Sequence, residues 1–255
     1  MIPPIRQPEM TWGQWVLKGA AHWLFNAVPR AMARFSPVGD KPVFDKAAFP
    51  WVAEVESCWP AIRGEAEDLL ASRSTVPNVQ DIMPSQRFLS QDDRWKTFFF
   101  YAYGRRFVKN CALCPATAAA VERIPGMTTA LFSILAGGKY LPEHRGPYKG
   151  VLRFHLGLVV PEPKESCGLR VAGHVLHWEE GRGIVFDDVY KHDAWNFAQA
   201  DRVVLFVDFE RPLPAPFAQM NRLLIRLVRS LPLIQEVIRR MERVAPLQET
   251  GAPDQ

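Results

Sequence analysis

The chain has 255 residues, 48% apolar and 23% charged, a composition that excludes disordered, fibrous and repeat classes and suits one full hydrophobic core. Its formal charge of +4 collects at the ends, with +3 on residues 1–35 and +5 on residues 211–245, so the middle is no basic platform for nucleic acid. The four cysteines, Cys58, Cys111, Cys114 and Cys167, make no disulfide framework and imply a reducing, cytoplasmic compartment; the basic ends suit a peripheral seat on the inner face of a membrane.

In chain order, the first ten residues lack the apolar stretch of a signal peptide. Residues 11–35 read as a helix interrupted near Pro29, in which Trp12, Trp15, Val16, Trp23 and Leu24 are apolar. Lys18 and His22 break any run long enough to span a bilayer. Such a helix suits a membrane interface or a seat on the core. Residues 41–50 form an irregular lead-in. Over residues 51–73, Val52, Val55, Trp59, Ile62, Ala66, Leu69 and Leu70 recur at helical spacing and predict a helix behind the core. Residues 74–94 are polar, carry Pro77 and Pro84, and have the length of a lid or substrate-contacting loop. Residues 95–108 are aromatic enough for strand, with arginines available to a pocket. Cys111 and Cys114 lack the partners that would complete a metal cage. Pro115 opens a short helix that Ile124-Pro125-Gly126 ends.

Beyond that helix the pattern becomes that of strands. Residues 129–135 form one, residues 138–139 a turn, and residues 151–160 a second with strict alternation. There Leu152, Phe154, Leu156 and Leu158 take one face and Val151, Arg153, His155 and Gly157 the other. Residues 169–178, 183–186 and 202–209 follow, with Arg202 opposite Val203 in the pleat. Short strands without alternating helices argue a sandwich or barrel. Residues 217–244 are apolar at helical spacing with six arginines interleaved, as suits an interfacial helix or one packed on the barrel. The chain divides into an N-terminal helical segment (1–40), a β domain (41–212) and a basic helical segment (213–255).

Histidine and arginine inside a barrel suit a metal beside an anionic ligand. His144 and His192 offer two neutral imidazoles to an ion such as iron, and Arg153 and Arg202 offer guanidinium groups to carboxylates. A satisfied core histidine or a surface ion pair uses the same residue types.

Three blocks carry a resemblance: H-R-G-P-Y-K-G-V-L-R-F-H-L-G-L from His144, W-E-E-G-R-G-I-V-F-D-D-V-Y-K-H from Trp178, and R-V-V-L-F-V-D from Arg202. In this order they resemble the aspartyl/asparaginyl β-hydroxylase family of Fe(II)/2-oxoglutarate dioxygenases over residues 129–212. K-P-V-F from Lys41, A-L-C-P-A-T from Ala112 and E-R-P from Glu210 look like its bacterial lipid A acyl 2-hydroxylase branch. The resemblance implies a mainly β, double-stranded β-helix (jelly-roll) barrel backed by N- and C-terminal helices. It implies His144 and His192 as iron ligands, Arg202 and Ser133 at the far carboxylate of 2-oxoglutarate, and Arg153 and His155 as further cosubstrate contacts. The implied reaction uses dioxygen, releases succinate and hydroxylates an unactivated carbon, in an Asp/Asn-type residue of a peptide or amino acid or in a fatty-acyl chain. A halogenase and a non-catalytic binding module remain alternatives. One position departs from the pattern: the usual H-x-D reads His144-Arg145-Gly146, and glycine cannot ligate iron. The peptide-hydroxylating members are similar in having glycine there, with water implied in that position. Asp187 and Asp188 are expected to support the loop before His192, and His174 and His177 to be structural.

Overall fold

The computed structural model describes residues 27–71 and 76–244. Its larger sheet holds β1 (Val43–Phe44), β2 (Trp95–Ala102), β3 (Arg105–Arg106), β4 (Met127–Leu135), β6 (Val151–Val159), β9 (Gly183–Phe186) and β11 (Arg202–Glu210). Its smaller sheet holds β5 (Lys139–His144), β7 (Cys167–Val171), β8 (His174–Leu176) and β10 (His192–Asn196). The orders are β1-β9-β6-β11-β4-β2-β3 and β5-β10-β7-β8, with every neighbour antiparallel. From β4 to β11 the chain runs larger, smaller, larger, smaller, smaller, larger, smaller, larger. That winding is the double-stranded β-helix, and the strand order alone establishes it.

Alternation along the strands sorts the side chains into layers. Leu152, Phe154, Leu156 and Leu158 of β6 join Val203, Leu205, Val207 and Phe209 of β11 on the outer face of the larger sheet. Helices α2 (Trp51–Ser57), α3 (Trp59–Ala71) and α6 (Pro115–Glu122) cover this face through Val52, Val55, Ile62, Ala66 and Val121. Trp51 meets Phe154 and Phe209 edge-on at 5.2 and 5.0 Å, so truncating Phe209 to Ala would cost about 3–5 kcal/mol. Glu65 of α3 fixes the start of α6 by accepting from the backbone N–H groups of Ala116 (2.7 Å) and Thr117 (2.8 Å), donors that a helix cannot satisfy internally.

The remaining helices are α1 (Val28–Ala33), α4 (Val79–Ile82), α5 (Val108–Leu113), α7 (Phe217–Ser230) and α8 (Pro232–Val244). Several expectations are corrected. Pro29 lies in the first turn of α1 and does not break it; residues 11–26 of the expected helix fall outside the described residues, as do 72–75 and 245–255. The stretch from Trp51 is two helices because Pro60 has no N–H with which to continue the first ladder. Residues 217–244 likewise divide, at Leu231-Pro232. The expected strands 95–108 and 169–178 each fold back at two residues of positive φ, Tyr103-Gly104 (50° and 74°) and Ala172-Gly173 (49° and 88°), as two-residue hairpins require. Arg105 and Arg106 therefore face no pocket: both are exposed, paired with Glu242 and Glu122. Strands β5 and β10 correspond to no expected strand, and the loop before β2 contains α4.

Candidate active site

The two unexpected strands present the two histidines. β10 pairs with β5 so that His192 lies opposite His144 in the ladder, and the imidazole centroids are 4.1 Å apart. Each Nδ1 meets the backbone carbonyl two residues earlier, Pro142 O at 2.8 Å for His144 and Tyr190 O at 2.9 Å for His192. A nitrogen facing a carbonyl oxygen must carry the proton, which leaves Nε2 of each ring with its lone pair. Burial, reinforced by the charges of His144 and Arg153, depresses His192 to about 3. Burial lowers His144 in the same direction. Both rings are thus neutral, the form that binds a metal.

From this pair an unbroken run of ring contacts leads into the barrel. His192 meets Phe186 (6.0 Å), Phe186 meets His155 (5.1 Å), His155 stacks on Trp178 (6.0 Å), and the Arg202 guanidinium lies 4.4 Å from the Trp178 ring centre. Ser133 closes the far end: its carbonyl accepts from Arg202 Nη1 at 3.4 Å, and its hydroxyl from Trp95 Nε1 at 3.1 Å. At the other end, Phe88 is exposed and its ring lies 6.4 Å from His144. All six expected residues, Ser133, His144, Arg153, His155, His192 and Arg202, belong to this one interior.

The run leaves polar atoms without partners. Both ring nitrogens of His155, Nε1 of Trp178, Nε of Arg202 and Oδ1 of Asp188 are buried and form no hydrogen bond. Each such group costs about 1–3 kcal/mol, so their clustering in one place argues for a polar ligand rather than a core. Burial lowers Arg202 only to about 10, so it remains a cation facing that space. Burial, then Arg153 and Arg202, pushes His155 far below its ordinary value.

Arg153 shares a face with His155, as the alternation requires, but its charge is already matched. It grips Asp208 through Nε (2.8 Å) and Nη2 (3.2 Å), and Nη2 also pairs with Asp188 at 2.8 Å. The guanidinium lies 4.1 Å from the Phe206 ring centre. Burial works against its charge, yet Asp188 and Asp208 hold its pKa above the arginine range.

The adjacent acids differ. Asp187, fully buried, takes an ion pair from Arg211 and another from Lys149 (2.7 Å) and so locks the turn before β10 to the end of β11. Asp188 projects instead beside Gly146; burial raises it to about 6 against the pull of Arg153. Sequence reasoning misses Trp178, Phe206 and Asp208 as site residues and gives Asp188 only a supporting role, although all four lie inside the three quoted blocks. His174 is exposed, and His177 hydrogen-bonds Cys167 O, so both stay outside. Among the described residues, no group of three or more His, Cys, Asp or Glu side chains is arranged to hold a metal.

The profile of the aspartyl/asparaginyl β-hydroxylase family matches residues 56–212. The chain is 50% identical over 203 residues to an ornithine lipid ester-linked acyl 2-hydroxylase of Rhizobium tropici, covering 80% of this chain and 72% of that protein. It is 32% identical over 170 residues to the human aspartyl/asparaginyl β-hydroxylase, covering 65% of this chain but 22% of that protein. Among solved structures it is similar to a prolyl hydroxylase of Trichoplax adhaerens, with TM-score 0.44 and 13% identity over 84% of this chain and 97% of that one.

Proposed function

This chain belongs to the aspartyl/asparaginyl β-hydroxylase family, and from that membership we propose that it is an Fe(II)/2-oxoglutarate-dependent hydroxylase acting on a fatty-acyl chain of a lipid. The acyl substrate is supported by the 50% identity to a lipid acyl 2-hydroxylase, against 32% to the human β-hydroxylase. The observation that carries the cofactor chemistry is the cluster of buried, partnerless polar atoms on His155, Trp178 and Arg202 beside the paired neutral imidazoles.

These residues fit the two groups. His144 and His192 would hold the iron through Nε2. Arg202, flanked by Ser133 and the indole N–H of Trp178, would hold the carboxylate of 2-oxoglutarate that points into the barrel, and His155 would contact the cosubstrate beside it. When bound, iron with 2-oxoglutarate and dioxygen supplies the oxidising power that hydroxylates an unactivated carbon, releasing succinate and carbon dioxide. The chain's own part is to bind, orient and exclude water. Phe186 and Phe206 wall the interior, and Arg153, neutralised by two aspartates, braces it. No side chain acts as a general base. The free cysteines and the expected cytoplasmic setting belong to the same reading. Relatives named as hydroxylases do not favour a halogenase or a non-catalytic module.

The test is mass spectrometry of lipid extracts from cells with and without the active protein. Loss of the enzyme leaves an acyl species lighter by one oxygen. Unchanged lipids, with succinate release stimulated by Asp-containing peptides, would instead establish a peptide substrate, the reading that Gly146 suggests.

A further inference from the structure

Helix α7 carries three rows of side chains. Phe217, Asn221, Leu224 and Val228 form its inner row; Asn221 is buried and donates to Gly150 O at 2.8 Å while accepting from the Tyr148 hydroxyl at 2.7 Å. Met220, Leu223 and Leu227, at i, i+3 and i+7, form a second row that continues to Leu231. They are 37%, 55%, 42% and 43% exposed, and Leu233 at the start of α8 is 74% exposed. Arg222, Arg226 and Arg229, at i, i+4 and i+7, form a third, exposed row. Helix α7 contains no acidic residue, although Arg222 pairs with Glu210 of β11 at 3.0 Å, which leaves Arg226 and Arg229 to carry the charge toward an anionic surface. Phe35, 57% exposed, stacks on Phe217 at 4.7 Å and extends the apolar surface, with Arg30 and Arg34 exposed nearby in the chain.

The hairpin borders the site. Val237, Ile238 and Met241 of α8 are buried in a cluster with Ile82 of α4, Phe99 and Leu131, and Phe206 packs against that cluster. Phe206 also touches His155 (5.1 Å) and Arg153. The chain leaving α4 leads directly to Phe88, beside His144.

We propose that the α7–α8 hairpin is a membrane seat: the exposed leucine row enters the acyl boundary of an anionic bilayer while the arginine row pairs with phosphate headgroups. Charge complementarity selects this occupant, since on α7 apolar side chains are interleaved with arginines and carry no carboxylate among them. On α8, Arg239, Arg240 and Arg243 outnumber the Glu236 they surround, a balance that suits an anionic lipid surface. Among the described residues no helix is long and apolar enough to cross a membrane, and the proposed contact is made by the exposed side of the hairpin. The proposal deepens the acyl-chain reading by bringing the bilayer to the rim of the site, but the binding itself needs neither iron nor turnover.

The test is co-sedimentation of the full chain, without metal, with vesicles of phosphatidylglycerol mixed into phosphatidylcholine and with phosphatidylcholine alone. The parent binds the anionic vesicles, and high salt releases it. Leu223→Ser/Leu227→Ser and Arg226→Glu/Arg229→Glu each weaken binding by at least about tenfold, while melting curves and hydroxylation of detergent-dispersed lipid match the parent. Because the basic first 26 residues are untouched in these variants, equal binding by parent and variants would overturn the proposal. So would absence of binding, insensitivity to salt, or a dimer dissolved by the leucine changes while vesicle binding persists. If vesicles bind as expected but cellular lipids are unchanged on loss of the enzyme, the substrate reading fails and the seat stands.

Discussion

The carboxylate of Asp188 occupies the volume that a side chain at position 146 would need: a Cβ on Gly146 would overlap it. The backbones are joined as well, Gly146 N donating to Asp188 O at 2.7 Å. The loop before β10 thus brings a buried acid beside Gly146, two residues past His144, where the H-x-D pattern would supply one from the chain after β5. Glycine at 146 and aspartate at 188 are a matched pair.

Gly146→Ala should therefore destabilise the protein by about 1–3 kcal/mol, the cost of overpacking. Introduced together with Asp188→Gly, it should cost much less than it does alone, a coupling that urea unfolding of the four proteins measures. Additive effects would mean that the two positions do not share space.

His144→Ala and His192→Ala should each lower iron-dependent 2-oxoglutarate turnover by more than about a hundredfold, beyond what displacement of an outer-shell partner causes. Circular dichroism should show an intact fold. A double variant that converts 2-oxoglutarate at the parent rate would place the metal elsewhere.

At the other end of the interior, Arg202→Ala should raise the 2-oxoglutarate requirement by more than about tenfold, since truncating a buried charged partner costs about 2–5 kcal/mol. Trp178→Phe keeps a ring against the guanidinium but removes the partnerless indole N–H. It should raise the KM for 2-oxoglutarate about threefold to tenfold, the worth of one hydrogen bond, with kcat little changed. An unchanged KM would show that this N–H does not face the cosubstrate.

Stability should depend on pH with two opposing contributions. His192 is depressed from 6.5 to about 3, chiefly by burial, so its contribution is present above pH 6.5 and is lost as pH falls toward 3. The full loss is on the order of 5 kcal/mol. Asp188 is raised from 3.8 to about 6, again chiefly by burial, so its contribution is present below 3.8 and is lost as pH rises through 6. Urea midpoints of the metal-free protein between pH 4 and 7 should show a flatter acid limb for His192→Gln and a steeper one for Asp188→Asn. Parallel curves for all three proteins would contradict both assignments.

Strand β6 was legible from residues alone because its two faces meet different surroundings: Leu152 to Leu158 face helices, and Arg153 and His155 face the interior. The strands carrying the histidines were not. β5 has a proline and an exposed tyrosine, and β10 opens with His192-Asp193; Tyr140 and Arg170 bind Asp193 across the small sheet, so polar pairing replaces apolar periodicity there. The candidate metal pair, Arg153, His155 and Arg202 lie in the three blocks, and Ser133 was assigned from its place eleven residues before His144. Trp178 and the packing role of Asp188 escaped because they depend on partners at Arg202 and Gly146, distant in the chain.

The pairing of His192 with His144 has a dynamic consequence. β5 is the outermost strand of the smaller sheet, held along one side by β10 alone, and an outermost strand is the first to open. An ion gripped by both imidazoles would act as a clasp across that seam, adding its binding energy to the ladder. Amide exchange in residues 139–144 would then slow with metal occupancy, while β6 and β11, enclosed on both sides, would exchange at a rate the ion scarcely alters. An edge strand of the barrel would report whether the site is filled.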